Sequence, residues 1–285
     1  MIAAIVPNLT KTNADQATQA IVQVLRCLGV TVRVESSIHQ SLPNLDAEFC
    51  EDFFDMIATC DVVIAVGGDG TIIHAAKHAA FASKPILGVN AGRLGFVAGL
   101  ELNQLHRLRH LLDGDYKVEQ RMMLEIYLKS EGYSKPYYAL NEAVVSRGSK
   151  THILDFEVSY NGNNLCQYRA DGLIVATPTG STAYSLSAGG PVVEPAMRCL
   201  LLTPICPHSL FTRPVVFGED STLHIQAASN GQSEIFLTLD GELAIPVTEE
   251  ECIRFQASSR SVSLIDLKHQ TFYEVVNEKL SERRA

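Results

Sequence analysis

Val62-Val63-Ile64-Ala65-Val66-Gly67-Gly68-Asp69-Gly70-Thr71 is a continuous apolar run that breaks into three glycines around one carboxylate. An apolar run of this length, closed by glycine, reads as a buried strand of a parallel sheet. Ile72–Phe81 after it carries apolar residues at helical spacing, so strand, turn and helix follow in order, with the helix opening at Thr71. The same alternation surrounds it. Ala3–Val6, Val30–Val34 and Pro85–Val89 read as strands. Asp15–Leu28, with Ala17, Ile21, Val24, Leu25 and Leu28 on one face and Gly29 as its stop, reads as a helix, and Glu48–Thr59 as another. Strands separated by helices predict a doubly wound, mostly parallel, Rossmann-like α/β domain, with ligands at the carboxyl ends of the strands.

Beyond residue 120 the texture changes. Met122–Lys129, Ala143–Ser146, Phe156–Tyr160, Leu173–Ala176, Thr222–Ala227, Ile235–Leu239 and Cys252–Ala257 are short strand-like runs, many separated by turns such as Asn161-Gly162-Asn163 and Asp240-Gly241. They predict an all-β second domain, a β-sandwich. The boundary falls in Leu100–Asp115, where a predicted helix, Gln104–Leu112, meets Asp113-Gly114-Asp115. This gives an α/β domain over 1–105 and a β-rich domain over 106–269. The tail, about 270–285, is predicted to return to the first domain as a short helix, Phe272–Arg284.

Composition narrows the function. The chain has 285 residues, 46% hydrophobic and 19% charged, with 23 Lys and Arg against 32 Asp and Glu for a net charge of −9. Nucleic acid as partner is unexpected without clustered positive charge, and no apolar run reaches the ~18 residues of a membrane span. Seven cysteines without a Cys-x-x-Cys pair, and a start lacking a basic leader, predict a soluble cytoplasmic protein with reduced thiols.

Three glycines in four positions let the backbone approach a ligand closely and adopt positive φ, and a helix N-terminus there suits a phosphate. Asp69 beside bound phosphates can hold Mg²⁺ or accept a proton from an attacking hydroxyl, and phosphoryl transfer rewards such positioning more than base strength. Neither a Walker A loop nor G-x-G-x-x-G is present. A second segment, Arg169 through Pro191, runs from a strand into small hydroxyl residues around Gly180, which suits contact with a sugar, amide or phosphate. Asn141-Glu142 opens a strand with an amide fit for a base edge and a carboxylate fit for ribose hydroxyls. Other groupings read as structural. His74/His78 and His106/His110 lack the Glu of a zinc helix, Cys206-Pro207-His208 shapes a turn, and Ser181, Ser185 and Ser187 lack a nucleophile elbow.

Gly67-Gly68-Asp69-Gly70-Thr71 resembles the signature shared by NAD kinases, diacylglycerol and sphingosine kinases and, more loosely, phosphofructokinases. Asn90-Ala91-Gly92-Arg93-Leu94-Gly95-Phe96, Leu140-Asn141-Glu142, Asp171 through Pro191, and Ile205-Cys206-Pro207-His208-Ser209-Leu210 with Arg213-Pro214 look like bacterial-type NAD kinase motifs in the same order, over nearly the whole chain. The resemblance implies transfer of a phosphoryl group from ATP, or from polyphosphate, to the 2′-hydroxyl of the adenosine ribose of NAD. Magnesium accompanies the ATP, and the chain assembles as a homodimer or homotetramer. It implies Asp69 as the residue activating that hydroxyl, with Gly67, Gly68, Gly70 and Thr71 as the donor-phosphate loop. Asn141 would face adenine and Glu142 its ribose. Asp171 would reach the nicotinamide side. Thr182, Ala183, Tyr184, Ser185, Leu186 and Ser187 would line the dinucleotide, with Arg169 and His152 near its diphosphate or nicotinamide end. His74 and Glu242, also placed at the substrate, stand where the family commonly carries Arg and Gln, and a histidine makes a weaker, pH-dependent phosphate contact. A lipid kinase of the same superfamily needs an apolar entrance, whereas Thr177–Ser187 is polar; a dinucleotide sensor without turnover has no support while Asp69 is intact.

Overall fold

The computed structural model describes the chain except residues 92–94, 151, 209–211, 230, 232, 269–270 and 283–285. The quoted motif residues Gly92, Arg93, Leu94, Ser209 and Leu210 therefore lie outside the described residues. The chain divides into two units, Met1–Gln120 with Val262–Ala285, and Arg121–Ser261. It crosses from one to the other inside strands Lys117–Leu128 and Cys252–Asp266.

The first unit is built on parallel strands in the order Glu48–Cys50, Thr31–Glu35, Ile2–Pro7, Val62–Gly67 and Ile86–Asn90. Leu100–Glu101 and the register at Leu264 continue the sheet beyond Ile86–Asn90, again in parallel. The order reverses between Ile2–Pro7 and Val62–Gly67, and it is at such switch points that open α/β sheets bind ligands. Every residue of Val62–Gly67 is buried, as its unbroken apolar run requires. Helix Ala14–Cys27 buries Ala17, Ile21 and Leu25, as its spacing predicts, and Val22, which the spacing did not single out; Val24 and Leu28 are half-buried.

Three predicted elements differ. Glu48–Thr59 is a short strand, Glu48–Cys50, followed by helix Phe53–Ala58, because Asp52 caps the helix by accepting from the Asp55 amide. The helix after the glycines begins at Asp69, two residues before Thr71, and runs to Phe81. Gln104–Leu112 is mainly a 3-10 helix, Leu102–Arg109, with one α-turn at His110–Asp113. Leu108 and Leu111 are buried in the first unit's core, which explains why this segment stays with that unit and does not begin the second. The C-terminal helix, Phe272–Glu282, lies in the first unit.

The second unit packs two antiparallel sheets. One runs Val215–Gly218, Cys199–Ile205, Gly172–Ala176, Glu142–Arg147, Ile235–Leu239 and Leu243–Val247. The other contains Asn163–Ala170, Leu154–Tyr160, Thr222–Ala228 and the first part of Cys252–Asp266. Alternate residues of both, including Phe156, Tyr168, Phe255, Leu173 and Leu237, form one core. Among the described residues no helix is long and apolar enough to cross a membrane.

Candidate active site

The glycine turn forms at the carboxyl end of Val62–Gly67, and its glycines serve different ends. None of Gly67, Gly68 and Gly70 takes positive φ, which corrects that part of the expectation drawn from their number. At Gly67 a Cβ would lie 2.6 Å from Thr71 Oγ1, so the strand meets its own helix there. At Gly68 and Gly70 a Cβ would meet nothing within 4 Å. Neither dihedral strain nor packing asks for glycine at these two positions; what they provide is bare backbone facing free space. A cavity of about 830 Å³ lies alongside, lined by Gly67, Gly68, Lys11, Asn13, Asn90 and Glu101 among others. Lys11 is the cation among its described lining residues and was not among the sequence candidates. It stands in the polar stretch after the first strand, with no pattern to mark it.

Gly68 caps the helix and Asp69 is its first residue, where the helix dipole favours an anion. The Asp69 carboxylate is fixed by its surroundings. Oδ2 accepts from the Phe96 amide at 2.8 Å and Oδ1 from the Val97 amide at 3.2 Å. Lys279 Nζ of the C-terminal helix is 3.8 Å from Oδ2. At Gly95 a Cβ would come within 2.0 Å of Asp69 Oδ1, which accounts for that glycine. His74, one turn on, sets its ring edge-on to His78 at 4.9 Å.

In the second unit, Asn141 and Glu142 sit where strand Glu142–Arg147 begins. Asp240 holds them: its carboxylate accepts from the amides of Leu140, Asn141 and Glu142 at 3.0, 2.8 and 3.2 Å. The sequence marks Asp240-Gly241 only as a hairpin turn, so this role goes unsignalled. Thr177 ties the hydroxyl-rich segment to the same place, its Oγ1 donating to Leu140 O at 2.6 Å and its amide to Asn141 O at 2.9 Å. Much of that segment's hydroxyl content is internal bracing. Ser181 Oγ pairs with both backbone groups of Val193, and Ser185 Oγ is buried against Thr203 Oγ1 at 2.9 Å. The Ser185 side chain therefore faces the interior and braces the segment. Thr182, Ala183, Tyr184, Leu186 and Ser187 are partly or fully exposed.

Among the described residues, three buried polar atoms here have no hydrogen-bond partner: Asn141 Oδ1, Glu142 Oε2 and Thr179 Oγ1. Such orphans are rare and call for an explanation; a polar ligand supplies one. Burial, and then the nearby Asp240 carboxylate, push the Glu142 carboxyl up to about 7, partly offset by the Tyr184 amide. A carboxyl raised from 4.5 to about 7 contributes stability that is full below pH ~4.5 and lost as pH rises through ~7. The differential is on the order of 3 kcal/mol. Glu142→Gln is expected to raise the melting temperature by several degrees at pH 8 and hardly at pH 5, which thermal melts at the two pH values measure.

Asp171 is paired with Arg147, whose Nε lies 2.7 Å from Oδ1 and Nη2 3.4 Å from Oδ2. Sequence reading missed Arg147, which has no local motif. Arg169 lies on the strand Asn163–Ala170, 3.7 Å from Asp155. His152 is exposed, and Glu242 lies in the hairpin turn, its amide donating to Leu239 O. Among the described residues no group of three His, Cys, Asp or Glu side chains is placed to cage a metal ion.

Residues 3–116 match the family model of the ATP-NAD kinase N-terminal domain, and residues 140–267 that of the C-terminal domain. An NAD kinase from Citrifermentans bemidjiense is 36% identical over 264 residues, 92% of each chain. Crystal structures of yeast NADH kinase complexed with NADH and of an Archaeoglobus fulgidus NAD kinase in complex with ATP are each 25% identical. Their TM-scores are 0.85 and 0.75; the matches cover 99% of this chain and 87% and 99% of theirs.

Proposed function

The chain belongs to the NAD kinase family, and on that premise we propose how its residues divide the work of phosphorylating NAD to NADP with ATP. Asp69 takes the proton of the adenosine 2′-hydroxyl as that oxygen bonds to the γ-phosphorus. The bond from γ-phosphorus to the bridging oxygen breaks, and ADP leaves with the electron pair. Asp69 is fitted to this by two backbone amides that fix its carboxylate. Asn141 receives the adenine, Glu142 the ribose, and Thr182 through Ser187, excepting the Ser185 side chain, the rest of the dinucleotide. What carries the reading is the cluster of buried, unpartnered atoms on Asn141, Glu142 and Thr179, which a base edge and ribose hydroxyls would satisfy.

The donor phosphates belong at Gly68 and Gly70, with Lys11 as a counter-charge at the adjoining cavity. Magnesium enters as MgATP, an arrangement that needs few protein carboxylates because the phosphates supply ligands. Seven free cysteines suit a reducing cytoplasm. Family membership also carries the expectation of a homodimer or homotetramer, which light scattering of the purified chain measures.

The test is NADP formation from NAD, ATP and Mg²⁺, read through an NADP-specific dehydrogenase. Activity only with polyphosphate would reassign the donor; inactivity with both donors would overturn the reading. Gly68→Ala tests the donor assignment. It fills open space at an ordinary φ of −95°, so the melting temperature is expected to stay within about 2 °C of wild type. The KM for ATP is expected to rise at least about fivefold as the added methyl displaces phosphate from bare backbone.

A further inference from the structure

Lys279 is far from every motif of the glycine turn in sequence, yet its ammonium lies 3.8 Å from Asp69 Oδ2 and 3.7 Å from the centroid of the Phe96 ring. Its side chain is only 14% exposed. A lysine normally keeps its ammonium in water, and here it is withdrawn to a position between an anion and an aromatic face. The Phe96 amide donates to the same Oδ2 that the ammonium approaches. Asp69 Oδ2 thus carries a backbone donor and a cation, whereas among the described residues Oδ1 carries the Val97 amide alone.

We propose that Lys279 is a positioning residue for phosphoryl transfer: from the C-terminal helix it holds Oδ2 of Asp69 and leaves Oδ1 to receive the hydroxyl proton. This rests on the role of Asp69 given above. The two oxygens become inequivalent, and the carboxylate is prevented from turning about its Cβ–Cγ bond toward an incoming phosphate. A bond that merely docked the helix could use any surface carboxylate, and exposed pairs of that kind have little energetic effect. This one engages the carboxylate that begins the helix beside the open glycines.

The experiment compares Lys279→Met and Lys279→Arg with wild type, whose own turnover of NAD and ATP tests the underlying reading separately. Lys279→Met keeps an unbranched chain over Phe96 and is expected to lower kcat at least tenfold, with both KM values within threefold. Lys279→Arg keeps the charge and is expected to return kcat to within threefold of wild type. In an Asp69→Asn background Lys279→Met is expected to cost less than threefold more, because a residue acting through Asp69 has nothing left to position. A kcat within twofold of wild type for Lys279→Met overturns the proposal. So does an equal factor lost in both backgrounds, which marks a purely structural role. Should Lys279→Met melt below the assay temperature, Lys279→Arg decides alone: near wild-type kcat supports the proposal, and a tenfold loss in a protein of unchanged melting temperature overturns it.

Discussion

Asp69→Asn is expected to lower kcat by about 10²–10⁴-fold while leaving the Kd for NAD within a few-fold of wild type. The substitution is nearly isosteric, and Asn141, Glu142 and Thr182–Ser187, proposed to hold most of the NAD, are left untouched, so binding falls little. Two losses reach the chemistry. An amide cannot accept the hydroxyl proton. It also brings an NH₂ group to one of two positions that must accept hydrogen bonds, from Phe96 at 2.8 Å or from Val97 at 3.2 Å. One backbone donor then faces another donor; an unmade bond costs about 1–3 kcal/mol when buried, and less at this partly exposed carboxylate. Some loss of stability is therefore expected beside the kinetic defect. Steady-state assays and calorimetric titration with NAD separate the two effects. Turnover within tenfold of wild type would remove Asp69 from the proton transfer.

The helix start that places this carboxylate was only partly legible. The apolar run Val62–Val66 and its glycines mark the strand and the turn, because a buried parallel strand must be apolar on both faces. They do not reveal that Gly67 is required by Thr71, Gly95 by Asp69, and Gly68 and Gly70 by neither. In the second unit, Asn163–Ala170 escaped prediction because most of it is exposed at a sheet edge, where polar residues such as Asn163, Asn164 and Gln167 suffice. Cys199–Ile205, buried except at Ile205, escaped because Thr203 and Pro204 interrupt its apolar run and a proline demotes a strand reading. Motif residues such as Asn141 and Asp171 were visible; the groups that hold them, Asp240 and Arg147, were not. They make their bonds 98 to 100 and 24 residues away, and no local spacing encodes such pairings.

Gly180→Ala is expected to be the most damaging single methyl addition in the second unit. A Cβ at Gly180 would fall 2.1 Å from Asn141 O, 2.5 Å from its carbonyl carbon and 2.8 Å from its Cα. These are backbone atoms, so no side chain can rotate away. The Asn141 carbonyl is itself held by the Thr177 amide, and the Asn141 amide by Asp240. On the other side, the Gly180 amide donates to Thr177 Oγ1 and Ser181 is locked to Val193. Relief requires one braced segment to move off the other. Overpacking of this kind costs about 1–3 kcal/mol, or roughly 2–12 °C in melting temperature for a protein this size. The displaced segment carries the unpartnered Asn141 Oδ1 and Glu142 Oε2. The KM for NAD is therefore expected to rise at least tenfold while the KM for ATP changes little, because the donor groups belong to the first unit. Melting curves and paired saturation curves check both parts. A rise in the two KM values by the same factor would show that the damage is global, and would sever the link between Gly180 and the adenine end of the substrate.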